Sequence, residues 1–492
     1  MNTIASQLLK FRQTSLYSGL GFAVAITLVF WAIFHRGIEL SGDQNVQVIA
    51  ADSLLEHGDL LVPLHHTRAQ DLTVEMPGNY LHRLAWFPPG YSLLLVVGAK
   101  VGLSLAQSAT CVFYINRFLG VFLWVLFLRK IGVNWIVTGL VVGLPGFLTY
   151  PSTTTDQLLG TVVAGIFLAG TRPLDKWPAH LLACGLAIIG ISLRYQGVIL
   201  PVIWVAWVLL STPRSFSSMI KASFTFLALV FFSLLMRWVA TGGTAFGQAH
   251  GSVLAIGQLT RGFILSVLGG WSPVHGPVQL VAACVVAGSL VGVCIRVVRR
   301  SLACWEVYLL IFQGLTFALL VVTQLRQGSL YDPQYPAYCV ARYYSLVTPI
   351  CLLLVWKSFD FLRIEYNRVW KVIFIGFLLV AGWQWFRKDI KTYAALQAGA
   401  DGFLREPATA AVMRIVQQEN PDIVVTDTVQ TFSLTSPTKI LPPNIGSIHC
   451  SSGTTAIFLA EANTAATPSC LVDWKPLMET HIGSWTLRKY QR

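Results

Sequence analysis

The chain has 492 residues, of which 54% are hydrophobic and 12% are charged, and its formal net charge is +13. With a mean hydropathy of +0.62, its apolar side chains are expected to face lipid rather than to fill one oversized soluble core. The lysines and arginines are spread through short loops and form no single basic face, which argues against a nucleic-acid-binding protein and indicates a polytopic membrane protein.

The first apolar run, Gly19 to Phe34, is expected to be a retained anchor, because Met1 to Gln13 contains no small-residue cleavage site. Lys10 and Arg12 place the N-terminus inside, since cytoplasmic loops collect Lys and Arg. The polar segment that follows, residues 35–90, is then the first extracytoplasmic loop, and we expect it to be structured.

Further spans are predicted between basic clusters that should all face the cytoplasm. These spans are Cys111–Leu128, Val133–Thr149, Leu158–Gly170, Ala179–Leu193, Gly197–Leu210, Ser223–Ala240, Val278–Ile295, Cys304–Thr323, Tyr343–Trp356 and Val372–Phe386. The segment Tyr91–Leu105 follows paired prolines and contains glycines, which favours a segment that dips into the membrane without crossing it. The total is then about 11 spans, or about 12 if that segment crosses.

The last part of the chain, residues 387–492, changes to a soluble composition and is predicted to be a small extracytoplasmic α/β domain beside a transmembrane domain of residues 1–386. Pro407 to Gln418 has helical spacing, whereas Ile423 to Val425 and Thr438 to Leu441 are typical of strands. Cys450 and Cys470 could pair if this tail lies outside the cell. The predicted fold class is therefore a mainly α-helical polytopic protein with a small C-terminal α/β module.

Two acids on the predicted outer side are candidates for catalysis. Asp43 precedes an amphipathic stretch, Val46 to Leu55, and its carboxylate is suited to take a proton from an attacking hydroxyl. Asp156 lies beside a predicted span, where a charge is costly unless it is capped or used. Each acid also fits the N-cap of the following helix, and this alternative stays open.

Three arginines are predicted on the outer side against the usual inside bias, which favours an anionic ligand. They are Arg83, Arg194 and Arg342. A guanidinium holds a phosphate with two parallel hydrogen bonds, so these residues are candidates for phosphate binding. Neighbouring side chains are expected to line a lipid or substrate groove: His82, Trp86, Tyr91, Tyr343 and Tyr344. The alternative is a set of interfacial arginines within an aromatic belt.

No metal site is predicted, because the adjacent His65 and His66 diverge on an extended loop and no third ligand is spaced to join them. The serine-hydrolase, phosphate-loop and dinucleotide-binding motifs are absent from the sequence. Serine hydrolase, ATPase and Rossmann oxidoreductase functions are therefore unsupported.

The sequence resembles the GT-C class of polytopic glycosyltransferases, in particular the branch of dolichyl-phosphate-mannose protein mannosyltransferases and bacterial aminoarabinose transferases. Four features carry the resemblance: Asp43 soon after the first span, the Trp86–Tyr91 exit from the first loop, the Thr155-Asp156 turn, and the Arg342 to Pro349 element. Two departures stand out. Gln44 follows Asp43, where relatives often have a second acid. Phe87 stands just before the paired prolines, where relatives often have Lys or His, so Arg83 would have to take the place of that basic residue.

The resemblance implies a hexose or pentose donor on a polyprenyl phosphate and an extracytoplasmic lipid, glycan or protein acceptor. We expect inverting transfer at the outer face of a multi-pass protein of the plasma (inner) membrane. Asp43 would act as base, Asp156 would position the acceptor or share the base role, and Arg342 with Arg83 or Arg194 would neutralise the leaving phosphate. No cofactor is predicted, and the need for a divalent metal stays open.

Two other function classes compete with the transferase. One is a transporter or flippase of lipid-linked sugars, which normally has charge at mid-membrane depth and repeated halves, whereas these spans are nearly free of mid-depth charge and show no repeat. The other is a non-catalytic cell-envelope assembly protein whose tail is the binding module.

Overall fold

The computed structural model describes residues 2–40, 42–63, 73–75, 81–84, 87–143, 155–210, 215–241, 295–296, 306–312, 314–315, 353–354, 356–357, 359, 364–426, 428–432, 439–441, 453–461 and 467–492. The elements named below are numbered over these residues alone. The predicted mainly helical class and the small C-terminal sheet are both confirmed.

The first part of the chain combines a long helix with a compact loop domain. Helix α1 spans Asn2–Phe34 and helix α2 spans Gly42–His57. Strands β1 (Leu61–Pro63), β2 (Thr73–Glu75) and β3 (Leu81–Leu84) form an antiparallel sheet in the order β1-β3-β2. The predicted amphipathic stretch thus lies within α2, which packs on β1.

Helices make up the next part of the chain. They are α3 (Gly90–Lys100), α4 (Leu105–Lys130), α5 (Trp135–Gly143), α6 (Thr155–Gly170), α7 (Trp177–Leu193), a 3-10 turn (Tyr195–Val198), α8 (Ile199–Leu210) and α9 (Phe216–Thr241). Within the described part, three helical stretches are long and apolar enough to cross a membrane: Leu16–Phe34, Leu105–Lys130 and Phe216–Met236. The total number of spans stays a prediction.

The beginning of α4 differs from the prediction, which placed it at Cys111. Ser104 and Gln107 form a reciprocal cap: Ser104 Oγ accepts from Gln107 N at 3.1 Å, and Gln107 Oε1 accepts from Ser104 N at 2.8 Å. The cap satisfies backbone N–H groups at the helix start, so α4 begins at Leu105. An apolar count alone does not detect such polar ends.

Three helices define the two ends of the helical region. Tyr114 Oη on α4 donates to the Phe34 carbonyl oxygen at 3.0 Å, whereas Gly19 lies against Leu126, so α1 and α4 are antiparallel. Thr161 Oγ1 on α6 donates to Asn116 Oδ1 at 2.7 Å, and the ends of the two helices also meet through aromatic contacts. The end of α1, the start of α4 and the start of α6 therefore share one side.

Helix α3 joins this side from the loop domain. Its first residue, Gly90, lies against Ser192 near the end of α7, and Gly98 lies against Ser108 near the start of α4. With 11 residues, α3 is about 16 Å long, well short of the roughly 30 Å hydrocarbon core.

The tail begins with a continuous helix, α10, which spans Ile364–Ala395. The predicted domain boundary at residue 387 falls inside this helix, and the described chain leaves it only after Ala395. Beyond it, β4 (Gln397–Ala398) pairs with β5 (Leu404–Arg405), and α11 spans Pro407–Glu419. Pro407 suits the first turn of α11, and Asn420, with φ of 41°, ends it in the left-handed conformation.

A five-stranded mixed sheet forms the core of the tail, in the order β7-β6-β8-β10-β9. Its members are β6 (Ile423–Thr426), β7 (Lys439–Leu441), β8 (Thr455–Glu461), β9 (Lys475–Ile482) and β10 (Trp485–Gln491), and the short helix α12 spans Val429–Phe432. Residues of α11 such as Val412 and Val416 pack against Val424 and Leu459 on one face. The face of β6 and β8 that meets α11 is thereby buried, whereas the edge strand β9 is mostly exposed.

Candidate functional site

The helix that carries Asp43 is fixed to α3. Asp43 lies in the first turn of α2. One turn later, the carbonyl oxygen of Gln47 accepts a hydrogen bond from Ser92 Oγ at 2.7 Å. Asp43, Gln47 and Ala50 share one helical stripe at spacings of four and seven residues, and Ala50 belongs to the apolar cluster around Phe87. The position of Asp43 is therefore on the stripe of α2 that meets α3 and Phe87.

The turn that ends the first loop lies against the end of α7. Phe87 is buried and packs against Val46 and Ala50 of α2. A Cβ added to Gly90 would come within 2.4 Å of the Ser192 carbonyl oxygen. Only glycine permits this approach, so the sequence Phe87-Pro88-Pro89-Gly90 is held directly beside the residues that follow Ser192.

Arg194 is among those residues, and it is 8% exposed. Its guanidinium carbon lies 5.3 Å from the centre of the Phe87 ring. Its backbone N donates to the Gly190 carbonyl oxygen at 3.0 Å, and its own carbonyl oxygen accepts from Gly197 N at 2.8 Å. The backbone thus fixes Arg194 between α7 and the 3-10 turn, while the aromatic ring attracts its cation.

Gln196 adds a polar group beside Arg194. Its side-chain Oε1 is buried and has no hydrogen-bond partner among the described residues. Leaving a buried polar group unpaired costs about 1–3 kcal/mol. A ligand that carries hydroxyl groups would relieve that cost.

Asp156 lies at the same end of the helical region. It is in the first turn of α6, and α6 packs on α7. A Cβ added to Gly190 of α7 would meet Leu159 and Val162 of α6 at 3.1 and 3.2 Å. Since Gly190 is close to the end of α7, the first turn of α6 and Arg194 are neighbours.

Arg83 and His82 lie on β3, the central strand of the loop sheet, where Arg83 is paired with Leu61 and Val74. Both β3 and the 3-10 turn after Arg194 contact α9. The strand that carries Arg83 and the turn that follows Arg194 therefore share a packing partner, although they are more than a hundred positions apart in sequence.

Several predicted site residues lie outside what the structure describes. For four of them the whole residue lies outside the description: Trp86, Arg342, Tyr343 and Tyr344. For four others the backbone is described and the side chain is not: Asp43, His82, Arg83 and Asp156. Their proposed roles stay predictions. Tyr91, predicted to line the groove, is fully buried in the core cluster that includes Leu95 and Phe113.

Arg117 is a buried cation that the sequence prediction missed. It lies in the middle of α4 and is 1% exposed. Its guanidinium carbon is 4.3 Å from the Phe113 ring centre and 4.7 Å from that of Phe30. The adjacent Asn116 is the residue that Thr161 of α6 contacts. An ionisable residue inside a span is a candidate functional residue. Averaging the hydropathy over an apolar run conceals it.

Arg405 is a second buried cation that the sequence prediction missed. Its Nη2 lies 2.6 Å from Asp401 Oδ2 and 3.4 Å from Asn45 Oδ1 of α2. Burial raises the pKa of the nearby Glu39 carboxyl above its usual value, Glu406 raises it further by repulsion, and Arg405 opposes both. The tail thus places the Arg405–Asp401 ion pair beside the first turns of α2, the helix that carries Asp43.

Within the described part of the chain, no three His, Cys, Asp or Glu side chains gather in a way that could hold a metal ion.

Comparisons with known proteins gave weak structural similarity. No protein-family model matches the chain, and no curated protein matches it. Among solved structures, the chain is similar to the crystal structure of the Archaeoglobus fulgidus oligosaccharyltransferase in complex with Zn and sulfate, at 11% identity and a TM-score of 0.49. The match covers 91% of this chain and 68% of that one. A similarity at this level carries no conclusion about this chain.

Proposed function

We propose that this chain is a membrane glycosyltransferase of the GT-C type, which moves a sugar from a polyprenyl-phosphate donor to an extracytoplasmic acceptor with inversion. Asp43 is the base, and Asp156 positions the acceptor or shares that role. Arg194, with Arg83 and Arg342, neutralises the leaving phosphate. His82, Trp86, Tyr343 and Tyr344 belong to the groove for the donor, whereas Tyr91 lies in the core beside it.

The observation that carries the proposal is the buried guanidinium of Arg194 on Phe87. It lies where the end of the first loop, the end of α7 and the 3-10 turn meet. Phe87 also packs against the helix that carries Asp43. A carboxylate-bearing helix and a desolvated cation at one end of an apolar helical region suit a substrate that is part lipid and part phosphate.

The proposed reaction requires one base and one stabilised leaving group. The carboxylate of Asp43 takes the proton of the acceptor hydroxyl as its oxygen attacks the anomeric carbon. The bond from that carbon to the phosphate oxygen breaks on the opposite face, and the electron pair leaves with the polyprenyl phosphate. That phosphate needs no proton, because guanidinium groups in a low-dielectric site stabilise its negative charge.

The extracytoplasmic location is supported by the tail. Cys470 is disulfide-bonded, and since Cys111 and Cys184 are free, its partner lies outside the described residues, as Cys450 does. Disulfides persist mainly outside the cytoplasm. The tail contacts the end of α1, through Tyr393 Oη donating to the Gly37 carbonyl oxygen at 3.0 Å. Arg194 is at this same end.

Transport of a lipid-linked sugar is the second candidate function. The sequence argues against it, because the predicted spans are nearly free of mid-depth charge, but the structure adds buried charges. Arg117 lies buried in the middle of α4, and Arg296 forms a buried ion pair with Glu306 at 2.5 Å. Buried charge of this kind is also what transporters use.

The deciding experiment incubates membranes that contain the chain with a labelled polyprenyl-phosphate sugar. Label in an acceptor supports the transferase, label that only crosses the bilayer supports the transporter, and neither result supports an assembly protein. Asp43→Asn should abolish transfer, and Arg194→Met should reduce it about 100-fold. Asp175→Asn is the matched control, because Asp175 is exposed in the turn after α6, at the other end of the region. Full transfer by Asp43→Asn would remove Asp43 as base.

A further inference from the structure

The tail is joined to the end of α1 by backbone and side-chain contacts. The Leu404 backbone N donates to the Ile38 carbonyl oxygen at 2.9 Å. Arg36 donates to the carbonyl oxygens of Ala394 at 3.2 Å and Leu396 at 3.0 Å, at the end of α10. These contacts link residues more than 350 positions apart, so the start of the first loop and the start of the tail form one joint.

Gly37 makes this joint possible. Its φ of +134° is a conformation that other residues rarely adopt. Its carbonyl oxygen accepts the hydroxyl of Tyr393, and an added Cβ would meet the Leu404 side chain at 3.4 Å. The chain therefore turns from α1 into the loop domain directly beneath β5.

Arg405 of β5 extends the joint to α2. Its side chain is 6% exposed and that of Asp401 is 4% exposed, and their ion pair at 2.6 Å compensates the burial of both charges. Nη2 of the same guanidinium also reaches Asn45 Oδ1 at 3.4 Å. Asn45 lies in the first turns of α2, two residues after Asp43. The short helix α12 of the tail contacts α2 as well.

Asn45 and Asp43 are about 200° apart around the helix axis. Arg405 therefore holds α2 from a side other than the stripe of Asp43. A rigid guanidinium fork, fixed by Asp401, is suited to set the rotation and height of a helix end.

We propose that Arg405 is a positioning residue: through Asn45 it fixes the first turn of α2 and thereby the carboxylate of Asp43. This inference rests on the proposed transferase function and extends it, because it makes the tail part of the catalytic apparatus. A misplacement of about 1 Å at a reacting group costs up to roughly 100-fold in rate.

The test compares four full-length single variants, and the double variant of Asn45→Ala with Arg405→Met, for kcat, donor KM, binding of polyprenyl phosphate and thermal unfolding. Arg405→Met should lower kcat about 10- to 100-fold while the donor KM changes less than about 2-fold. Arg405→Lys should restore part of kcat. Arg414→Met is the control, since Arg414 also donates to the tail, to the Ala398 carbonyl oxygen at 2.8 Å, but is exposed.

Asn45→Ala keeps the inference testable if Arg405→Met does not fold, because it leaves the Arg405–Asp401 pair intact. It should lower kcat and be non-additive with Arg405→Met. Wild-type kcat in Asn45→Ala, or a lower unfolding temperature in Arg405→Met without a change in kcat, would overturn the positioning role. If the wild-type chain transfers no label, the transferase proposal itself fails, which is a distinct result.

Discussion

The carboxyl group of Glu39 is in an unfavourable place for a negative charge. Burial raises its pKa above the usual 4.5, repulsion from Glu406 raises it further, and Arg405 opposes the rise. A bridge between Glu39 and Leu404 holds the residue at the joint of tail and first loop. Folding therefore shifts the equilibrium of this acid toward its neutral form.

Glu39→Gln should raise the unfolding temperature at pH 7, because the amide removes a disfavoured charge. The pKa of Glu39 is higher in the folded protein than its unfolded value of 4.5. The stability that this shift contributes is therefore complete below pH 4.5 and is lost as the pH rises through the pKa of the folded protein. The advantage of the variant should therefore vanish near pH 4. Thermal unfolding of the wild type and of Glu39→Gln from pH 4 to pH 7 measures this difference in stability. A variant that is less stable than the wild type at pH 7 would contradict this interpretation.

Asp422→Asn provides the opposite case. Hydrogen bonds from Thr454 and Thr455 lower the pKa of the Asp422 carboxyl from 3.8 to about 2. The contribution of Asp422 to the stability of the fold is fully present above its unfolded pKa of 3.8, and it is lost as the pH falls through the lower pKa of the folded protein. This variant should therefore be less stable than wild type at neutral pH, with a difference that shrinks on acidification.

Single residues differ in how visible their roles are in sequence. Arg194 was found because a charge on the outer side breaks the inside bias of Lys and Arg. Arg117 was missed because one arginine within an apolar run hardly changes a window average, and its aromatic partner Phe30 lies on another helix. Arg405 was missed because its contact with Asn45 depends on tertiary structure, over 360 positions.

The element that positions Arg194 is the close pair of α7 and the 3-10 turn. A Cβ added to Gly197 would lie 2.6 Å from the backbone C and O atoms of Gly190. Backbone atoms cannot move aside as a flexible side chain does, so a side chain at this position must displace the turn.

Gly197→Ala should therefore reduce sugar transfer by at least about 10-fold, because the turn shifts Arg194 relative to Phe87. Gly185→Ala is the matched control: Gly185 lies on the same helix α7, and an added Cβ would meet nothing within 4 Å. Transfer assays on equal amounts of folded protein compare the two. Equal activity of both variants would show that the turn does not position the site.

Element types were predictable where local sequence decides them. The tail helix after Glu406 and the strands at Ile423 and Lys439 follow from helical spacing and apolar runs. Helix ends that are set by polar caps were not predictable, as the start of α4 at Leu105 shows. The length of α10 was also missed, because its polar last turns pack on Arg36 and Gly37, which follow α1. Such ends are decided by tertiary contacts.

At the scale of the whole molecule, the proposed site and the tail lie at one end of the helical region. The C-terminal end of α1 meets α10 through Tyr393, and the first turn of α6 lies beside Arg194. The turn after α6, around Arg172 and Lys176, lies at the other end. The disulfide at Cys470 and the basic residues of that turn then predict which end faces the cytoplasm.

Reporter fusions test this orientation. A fusion after Arg492 should give an active periplasmic phosphatase and a dark cytoplasmic fluorescent protein, and a fusion after Lys176 should give the reverse. The two positions control for each other, because they lie at opposite ends of the same helical region. A fluorescent fusion after Arg492 would place Asp43 and Arg194 at the cytoplasmic face. The donor would then have to be a lipid-linked sugar of the inner leaflet, and an extracytoplasmic acceptor would be excluded.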